Sequence, residues 1–355
     1  MDIFVSGRLC LFGEHSDWAG AYCQVNSQLQ PGGAIVVGTN QGIYARVESN
    51  SRLTYKTIHS ASTLDLAMEP ELLLTMAQSK SFYSYIAGVA YQVLSRYQVG
   101  GLAIDNYRMD LPLQKGLSSS AATCVLIARA FNQLYQLNLS IAEEMELAYW
   151  GERTTPSQCG RLDQACAYGK QPILMTFDGD RCTIEPLNVG QNLYFVIVDL
   201  AGMKNTQAIL SRLNSCYPIA KDTQALKLQN YLGEINRKFV KQATLALERG
   251  DAAEIGVLMN QAQKEFDRCV APVCPEQLNA PLLHKLLAHS ALQPYICGGK
   301  GVGSQGDGTA QFIAPDRASQ QQVISIIQRD FPQMQCFELD IPQLSVRERL
   351  NLSQN

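Results

Sequence analysis

Residues 112–122 are well suited to binding an anion, because a glycine turn leads directly into a helix-forming run. They read PLQKGLSSSAA, and good helix formers continue to residue 134. Gly116 permits a tight turn, and the first N–H groups of a helix have no partners within the helix. The helix dipole is also positive at that end, so phosphate would bind well there. An ordinary serine N-cap ahead of an amphipathic helix is the alternative interpretation.

Three further groups of residues carry side chains that suit phosphoryl transfer. Residues 13–20 form a polar turn, GEHSDWAG, and residues 298–309 form a second glycine-rich stretch, GGKGVGSQGDGT. Glu152 and Asp163 are separated by a helix end and a turn, so their carboxylates could converge from different elements. Phosphoryl transfer needs backbone donors for phosphates, oxygen ligands for Mg²⁺, a cation and a group that orients the attacking hydroxyl. The residue types found here suggest this chemistry, but taken by themselves they make an incomplete case for it.

Other well-known nucleotide and metal motifs are missing from the sequence. Neither glycine stretch ends in the Gly-Lys-Ser/Thr of a Walker A loop, and the H-R-D set of protein kinases is absent. The strand, G-x-G-x-x-G and helix of a Rossmann domain are not found near the N-terminus. The eleven cysteines form no C-x-x-C pair, and the spacing of Cys269 and Cys274 is poor for zinc. We expect reduced thiols.

Charge and hydropathy argue against nucleic acid and membranes as partners. The 355 residues carry a net charge of −3, and the basic residues are scattered without interleaved aromatic residues. The N-terminus resembles neither a signal peptide nor a transit peptide. No segment reaches the ~18 uninterrupted apolar residues of a membrane span. With 46% hydrophobic residues, the chain should form a cytoplasmic protein of two domains, at roughly 100–200 residues per domain.

The elements that must position these groups follow from hydrophobic periodicity. A capping box of Ser140 and Glu143 predicts a helix over residues 140–153. Long helical patterns appear after residue 200, and strands near the C-terminus give an α+β second half, with a domain boundary near residue 190. The other predicted strands lie at 3–12, 34–47, 53–58, 101–105, 172–177, 194–200, 310–313 and 334–339. The other predicted helices lie at 78–98, 121–134, 224–249, 252–266 and 281–290, with one after residue 319.

The polar clusters resemble the motifs of a known family. Residues 7–17, GRLCLFGEHSD, look like the first motif of the GHMP kinases, the superfamily of galactokinase, homoserine kinase, mevalonate kinase and phosphomevalonate kinase. Residues 112–122 are similar to its second, phosphate-binding motif, and 298–309 to its third. The resemblance implies an α+β fold with a ribosomal-protein-like N-terminal domain (1–190) and a ferredoxin-like C-terminal domain (191–355). It also implies ATP and Mg²⁺ as cofactors.

The resemblance implies a role for each motif residue. Asp163 matches the catalytic aspartate that orients or deprotonates the acceptor hydroxyl, and Arg8 matches its basic neighbour. Ser120 and Glu152 match the ligands of Mg²⁺. The residues implied to bind ATP are Lys115, Gly116, Leu117, Ser118, Ser119, Ser120 and Ala121. The residues implied to bind the substrate are Glu14, His15, Asp17, Gly303 and Thr206. Without the surrounding motifs, Asp163 would be interpreted as a helix N-cap and Glu152 as an exposed acid at a helix end.

Two departures from the family pattern concern the second and third motifs. Gln114 and Lys115 stand where small residues are usual, although Lys115 would place an ammonium near the phosphates. The third motif contains an acid, Asp307, in a run that is commonly all glycine. An acid facing a triphosphate would be repelled, so Asp307 either points away or meets substrate or metal.

Glu14 and Asp17 favour a sugar as the phosphoryl acceptor. This acid pair is similar to the galactokinase pattern, whereas mevalonate kinases usually lack the acid at position 17. Carboxylates are good acceptors for sugar hydroxyls, and Trp18 is either a core residue or a platform for the ring. We expect a kinase, monomeric or homodimeric, for a monosaccharide or sugar acid, with a slight preference for a neutral sugar. The alternatives are a mevalonate-type kinase for a small hydroxy acid and a non-catalytic regulatory protein that binds sugar and ATP.

Overall fold

The computed structural model describes residues 1–58, 60–111, 116–157 and 159–343. The strands are β1 (Asp2–Phe12), β2 (Gly32–Asn50), β3 (Arg52–Thr57), β4 (Ser60–Ala67), β5 (Gly101–Met109), β6 (Ile173–Asp178), β7 (Arg181–Pro186), β8 (Leu193–Asp199), β9 (Gly298–Gly301), β10 (Thr309–Ala314) and β11 (Gln335–Ile341). The helices are α1 (Ser16–Ala21), α2 (Pro70–Ala77), α3 (Ser84–Leu94), α4 (Ser119–Leu134), α5 (Ile141–Arg153), α6 (Thr206–Asn214), α7 (Thr223–Asn230), α8 (Asn236–Arg249), α9 (Ala252–Cys269), α10 (Pro275–Leu278), α11 (Pro281–Leu287) and α12 (Arg317–Asp330). A 3-10 helix spans Asp163–Tyr168, and a π-helical turn spans Tyr231–Ile235.

The first compact unit consists of Met1–Arg8 and Val37–Lys170. Its strand β5 pairs antiparallel with β2 and parallel with β3, and β3 pairs with β4. The buried Ile104 of β5 lies opposite both Val47 and Tyr55, which are also buried. Helices α3, α4 and α5 pack against one another. Because α4 is apolar on nearly every side, it lies in the core, and its N-terminus is fixed at the end of the glycine turn.

The second compact unit consists of Leu9–Val36 and Gln171–Asn355. It contains an antiparallel sheet of order β11-β8-β10-β9, and the first residues of β2 pair with β6, which pairs with β7. Helix α12 packs on β8 and β10, and α9 packs on β9. The core between α12 and the sheet includes Val196, Phe312 and Ile327. Residues on both faces of β8 are buried, which explains why its sequence is apolar almost throughout and does not alternate with polar residues.

Periodicity predicted the existence of most elements but not every boundary. The predicted strands at 3–12 and 34–47 are confirmed as parts of β1 and β2, and the strand predicted at 53–58 is confirmed as far as Thr57, where β3 ends. The helix predicted over 78–98 is confirmed only over Ser84–Leu94, and before it the hydroxyls of Ser79 and Ser81 bond to each other and donate to Met76 Sδ. The helix predicted over 224–249 is divided into α7 and α8 by the π-helical turn. Among the described residues, every helix is too short or too polar to pass through a lipid bilayer.

The predicted division into domains at residue 190 stays a prediction. The compact units differ from it in that residues 9–36 group with the C-terminal half of the chain. This grouping follows from pairing, because β2 bonds to β6 through its first residues and to β5 through its last residues. One long strand therefore contributes to both units.

Candidate active site

Asp163 lies at the centre of a cluster of polar side chains in the first unit. Its Oδ1 accepts hydrogen bonds from Ser118 Oγ at 2.7 Å and from Arg8 Nε at 3.1 Å. The terminal NH2 group of Arg8 donates to the same oxygen. In the described part of the chain, no residue donates to Oδ2, and 30% of the Asp163 side chain is exposed. The carboxylate is therefore held by one oxygen and presents the other.

Arg8 joins β1 to the glycine turn that precedes α4. Its backbone N–H donates to the carbonyl of Leu117 at 3.2 Å, and its NH1 donates to the carbonyl of Gly116 at 3.3 Å. Gly116 has a φ of +79°, a conformation that favours glycine. Arg8 is buried, so its charge is balanced by Asp163 rather than by water. The proposed ATP-binding residue Lys115 lies outside the described residues.

The serines at the start of α4 do not form the N-cap that the sequence left as an alternative. Ser118 occupies the cap position in a left-handed conformation, and its side chain caps nothing because its hydroxyl donates to Asp163. The N–H of Ala122 bonds to the carbonyl of Ser118 at 2.9 Å. The N–H groups of residues 119–121 have no partner among the described residues. Such a helix start is ready to bind an anion.

Glu152 is a buried carboxylate surrounded by neutral donors. It is 2% exposed, and it accepts hydrogen bonds from Ser157 Oγ at 3.2 Å and from Gln164 Nε2 at 2.7 Å. Burial and the negative charge of Asp163 raise the pKa of Glu152 to about 7, against the smaller opposite effect of hydrogen bonds from Ser120 and the other donors. A cation beside Glu152 would stabilise its ionised form.

Glu152 and Ser120 would not form a complete metal site by themselves. Within residues 1–58, 60–111, 116–157 and 159–343, no group of three or more His, Cys, Asp or Glu side chains could hold a metal ion. Mg²⁺ usually keeps several waters and binds through one or two carboxylates together with substrate phosphates. The pair therefore fits Mg²⁺ that arrives with a nucleotide.

Gln164 and Arg161 support this cluster and were not among the predicted site residues. Gln164 is wholly buried, and its Oε1 has no hydrogen-bond partner among the described residues. Arg161 donates through Nε and NH2 to the two carboxylate oxygens of Glu146 on α5, at 3.0 and 2.8 Å, and lies 4.3 Å above the Tyr149 ring. These contacts fix the segment before Asp163 to α5. The only signal in the sequence is that both residues flank Asp163.

In the second unit, the two acids of the first motif have different environments. Glu14 is buried and forms an ion pair with Lys300, 286 positions away in the chain. Asp17 lies in the first turn of α1 and is partly exposed. The sequence treated the two acids as one sugar-binding pair, whereas in the structure Glu14 is buried beside a cation and Asp17 is partly exposed.

His15 and Trp18 contact each other and the aromatic core of the second unit. Trp18 Nε1 donates to His15 Nδ1 at 3.2 Å, and the His15 ring stacks on Phe266 with centroids 6.4 Å apart. The Trp18 ring meets Tyr217 edge-on at 5.3 Å. Trp18 is partly buried against this cluster, which favours the core interpretation over the sugar platform.

The third motif divides into a strand and a loop. Its first four residues form β9, and Gly303, with a φ of +65°, begins the turn that follows. The hydroxyls of Thr206 and Ser304 lie 3.2 Å apart, so the start of α6 contacts this loop. Thr206, a predicted substrate-binding residue, therefore lies next to the loop that contains another one, Gly303.

Asp307 points toward a helix rather than toward a ligand. Its Oδ1 accepts a hydrogen bond from the N–H of Leu283, in the first turn of α11, at 3.0 Å. The residue before α11, Ala280, offers no side-chain cap. Asp307 therefore supplies the missing cap from another part of the chain. Of the two interpretations that the sequence left open, this contact favours the one in which Asp307 points away from the ligand.

Comparison with known proteins agrees with the motifs. Residues 84–170 match the family model described as GHMP kinases N terminal domain. The match covers the part of the first unit that contains α3, α4, α5 and Asp163, and it identifies this region as a GHMP kinase N-terminal domain. The galactokinase of Thermococcus kodakarensis is 26% identical to this chain over 300 residues, which cover 78% of the chain and 80% of that protein.

Solved structures show the same fold. Lactococcus lactis galactokinase complexed with galactose aligns with this chain at a TM-score of 0.71 and 16% identity, covering 96% of this chain and 93% of that one. Streptococcus pneumoniae phosphomevalonate kinase, in complex with phosphomevalonate and AMPPNP, aligns at 0.72 and 15% identity, covering 96% and 100%. These likenesses confirm the predicted α+β fold of the family. The predicted enzyme class, a phosphotransferase that acts on a hydroxyl group, is confirmed as well, and ATP is the nucleotide that GHMP kinases use.

Proposed function

We propose that this chain transfers the γ-phosphoryl group of ATP to a hydroxyl of a monosaccharide or sugar acid. The observation that carries the proposal is the arrangement at Asp163, where Arg8 and Ser118 bind one carboxylate oxygen and leave the other open. The similarity to a galactokinase supports a sugar as the acceptor. The acid pair of the first motif supports it independently.

Asp163 would act on the acceptor hydroxyl through Oδ2. An aspartate in this role orients the hydroxyl or accepts its proton as the phosphoryl group moves. Arg8 holds the carboxylate by donating twice to Oδ1, and its NH1 group donates to the carbonyl of Gly116, which ties it to the glycine turn. One side chain thus sets the position of the reacting carboxylate relative to the phosphate-binding turn.

The start of α4 fits the phosphates of ATP. The N–H groups of residues 119–121, for which the described residues offer no partner, would donate to phosphate oxygens, and the buried Leu117 would anchor the turn. Ser120 and Glu152 would hold Mg²⁺, which neutralises negative charge on the phosphate oxygens when it is bound. Lys115 remains a proposed ATP-binding residue.

Glu14 and Asp17 would bind hydroxyls of the sugar, together with His15, Gly303 and Thr206. A carboxylate is a strong acceptor for a hydroxyl, and a site that bonds a hydroxyl rejects analogues that lack it. Oε2 of Glu14 accepts no hydrogen bond from the described residues, because Lys300 binds only Oε1. This oxygen is suited to a sugar hydroxyl.

A screen of acceptors tests the proposal. Purified protein with Mg²⁺-ATP is offered a panel of monosaccharides, sugar acids and mevalonate while ADP formation is followed, and the products are identified by mass spectrometry. We expect one or a few sugars to drive ADP formation, and Asp163→Asn protein from the same preparation controls for contaminating kinases. Turnover of mevalonate alone would assign the mevalonate-type alternative. ATP binding without turnover of any acceptor would favour the regulatory alternative, and light scattering would decide between monomer and homodimer.

A further inference from the structure

Lys300 is a buried charge that the proposed reaction does not use. It lies on β9 between glycines, and it is 2% exposed. Its Nζ donates to the carbonyl of Gly301 at 2.8 Å and to Oε1 of Glu14. Lysine is almost never this buried unless it is paired. The pair therefore deserves a chemical explanation beyond packing.

The backbone on both sides of Lys300 is fixed by α9. Asn260 Oδ1 and Gln263 Oε1 accept hydrogen bonds from the backbone N–H groups that flank Lys300, at 2.9 and 2.7 Å. A Cβ at Gly298 would collide with the carbonyl oxygen of Gly256, so the strand lies closer to α9 than a side chain would allow. The ammonium is thus held by a strand that has little freedom to shift.

The ion pair uses only one oxygen of Glu14. Oε2 has no partner among the described residues, and it is not completely enclosed, although the Glu14 side chain is only 7% exposed. An ionised carboxylate only accepts hydrogen bonds, so the group that meets Oε2 must be a donor. Because the positive charge of Lys300 is already balanced by Glu14, the pair offers no net attraction to an anion.

We propose that Lys300 determines acceptor specificity by holding Glu14 as a charged hydrogen-bond acceptor, so that this contact selects a neutral monosaccharide over the corresponding sugar acid. The inference rests on the proposed function, in which Glu14 contacts the sugar. A hydroxymethyl group donates to Oε2, whereas a carboxylate at the same position would bring two negative groups together. Lys300 acts through Glu14 and is a positioning residue.

The test compares matched pairs of acceptors that differ only at C6. Galactose and galacturonate, glucose and glucuronate, and mannose and mannuronate are each assayed for kcat/KM, and the ratio of the neutral sugar to the acid is the quantity compared. The variants are Glu14→Gln and the double variant Glu14→Gln with Lys300→Met. Arg317→Met, which removes an exposed ion pair with Asp340 in the same unit, is the control.

We expect the wild type to prefer the neutral member of the pair that it phosphorylates best. In Glu14→Gln the amide oxygen accepts from Lys300, and the amide NH2 takes the place of Oε2. The contact then gains a donor, and the positive charge of Lys300 is no longer balanced. We therefore expect the ratio of kcat/KM for the neutral sugar to that for the acid to fall by about 10–100-fold, the effect of one charge-assisted hydrogen bond. The double variant carries neither charge, so its ratio is intermediate, and it remains testable if the unpaired ammonium unfolds the single variant. The control keeps the wild-type ratio, and the KM for ATP stays within about twofold in every variant.

Two kinds of outcome separate this inference from the function on which it rests. A wild-type preference for the acid, or an unchanged ratio in both Glu14 variants, would overturn the role of Lys300 and leave the kinase intact. If the wild type phosphorylated no sugar at all, whether one of these six acceptors or another, the proposed function would fail, and the inference would fail with it.

Discussion

Replacing Asp163 by asparagine tests the catalytic cluster with little disturbance to the fold. Ser118 Oγ and two nitrogens of Arg8 all donate to Oδ1. An amide oxygen can accept the same three hydrogen bonds, which turns the amide NH2 toward the open side where Oδ2 lies. The Asp163→Asn variant therefore keeps its neighbours but presents a donor, in place of an acceptor, to the substrate hydroxyl.

The expected loss of turnover is much larger than the expected loss of stability. A positioned acid–base group contributes about 10²–10⁴ in rate, so the barrier should rise by about 2.7–5.4 kcal/mol. Hydrogen bonds to charged groups contribute about 1.5–3 kcal/mol and neutral ones about 0.5–1.5 kcal/mol. Because 30% of the Asp163 side chain is exposed, solvent screening reduces the difference. We expect the free energy of unfolding to fall by about 1 kcal/mol, which for a chain of 355 residues is a decrease in Tm of about 1–2 °C.

Two measurements separate the transfer step from substrate binding: single-turnover kinetics give the rate of phosphoryl transfer, and calorimetry gives the affinity for ATP. Asp163→Asn should bind ATP nearly as the wild type does while the transfer step slows. Asp163→Ala should lose as much turnover and more stability, since it leaves Arg8 and Ser118 without their partner. Asp65→Asn, which neutralises an exposed ion pair with Arg52 in the same unit, is the matched control. A near-wild-type kcat for Asp163→Asn would refute the catalytic role.

Asp17→Ala should raise the KM for the sugar much more than the KM for ATP, because Asp17 is proposed to bind a sugar hydroxyl; equal increases would argue against that contact. Gln164→Leu should weaken Mg²⁺ binding by about 10–100-fold, the usual effect of removing a group that orients a metal-binding carboxylate, and a titration that reports Mg²⁺-dependent ATP binding would detect it. An unchanged titration would show that Glu152 is oriented without Gln164. Asp307→Ala should lower the free energy of unfolding by about 1 kcal/mol through loss of the α11 cap and leave the KM for ATP unchanged. A large rise in that KM instead would place Asp307 beside the nucleotide.

Local signals in the sequence predicted the features that depend on neighbouring residues. The capping box is confirmed, with Ser140 accepting from the N–H of Glu143 and the Glu143 side chain accepting from the N–H of Ser140. The three motifs predicted the fold and the family, because short glycine and acid patterns are tied to specific turns. The predicted contact between Arg8 and Asp163 is observed, although their catalytic roles stay predictions.

Contacts between distant positions explain what the sequence could not predict. Ser118 looked like an N-cap because serine before a helix usually bonds to its own helix, but its hydroxyl bonds to Asp163, 45 positions away. The partner of Lys300 is 286 positions away, and nothing near either residue signals the other. Side-chain propensities describe local competition for backbone groups, so they carry no information about such partners.

Hydrogen bonds within the protein explain the residues that stand in place of glycine in the third motif, Gln305 and Asp307. These contacts change the effect that we expect those residues to have on ligand binding. Gln305 Nε2 donates to the carbonyl of Gly301 at 3.3 Å, and Asp307 accepts from the N–H of Leu283. Lys204 Nζ also donates to the carbonyl of Gln305, at 3.2 Å. An all-glycine run would be freer and would lose more conformational entropy when a ligand ordered it. The residues that replace glycine here fix the loop in advance, so they should favour ligand binding by preorganisation rather than weaken it by repulsion.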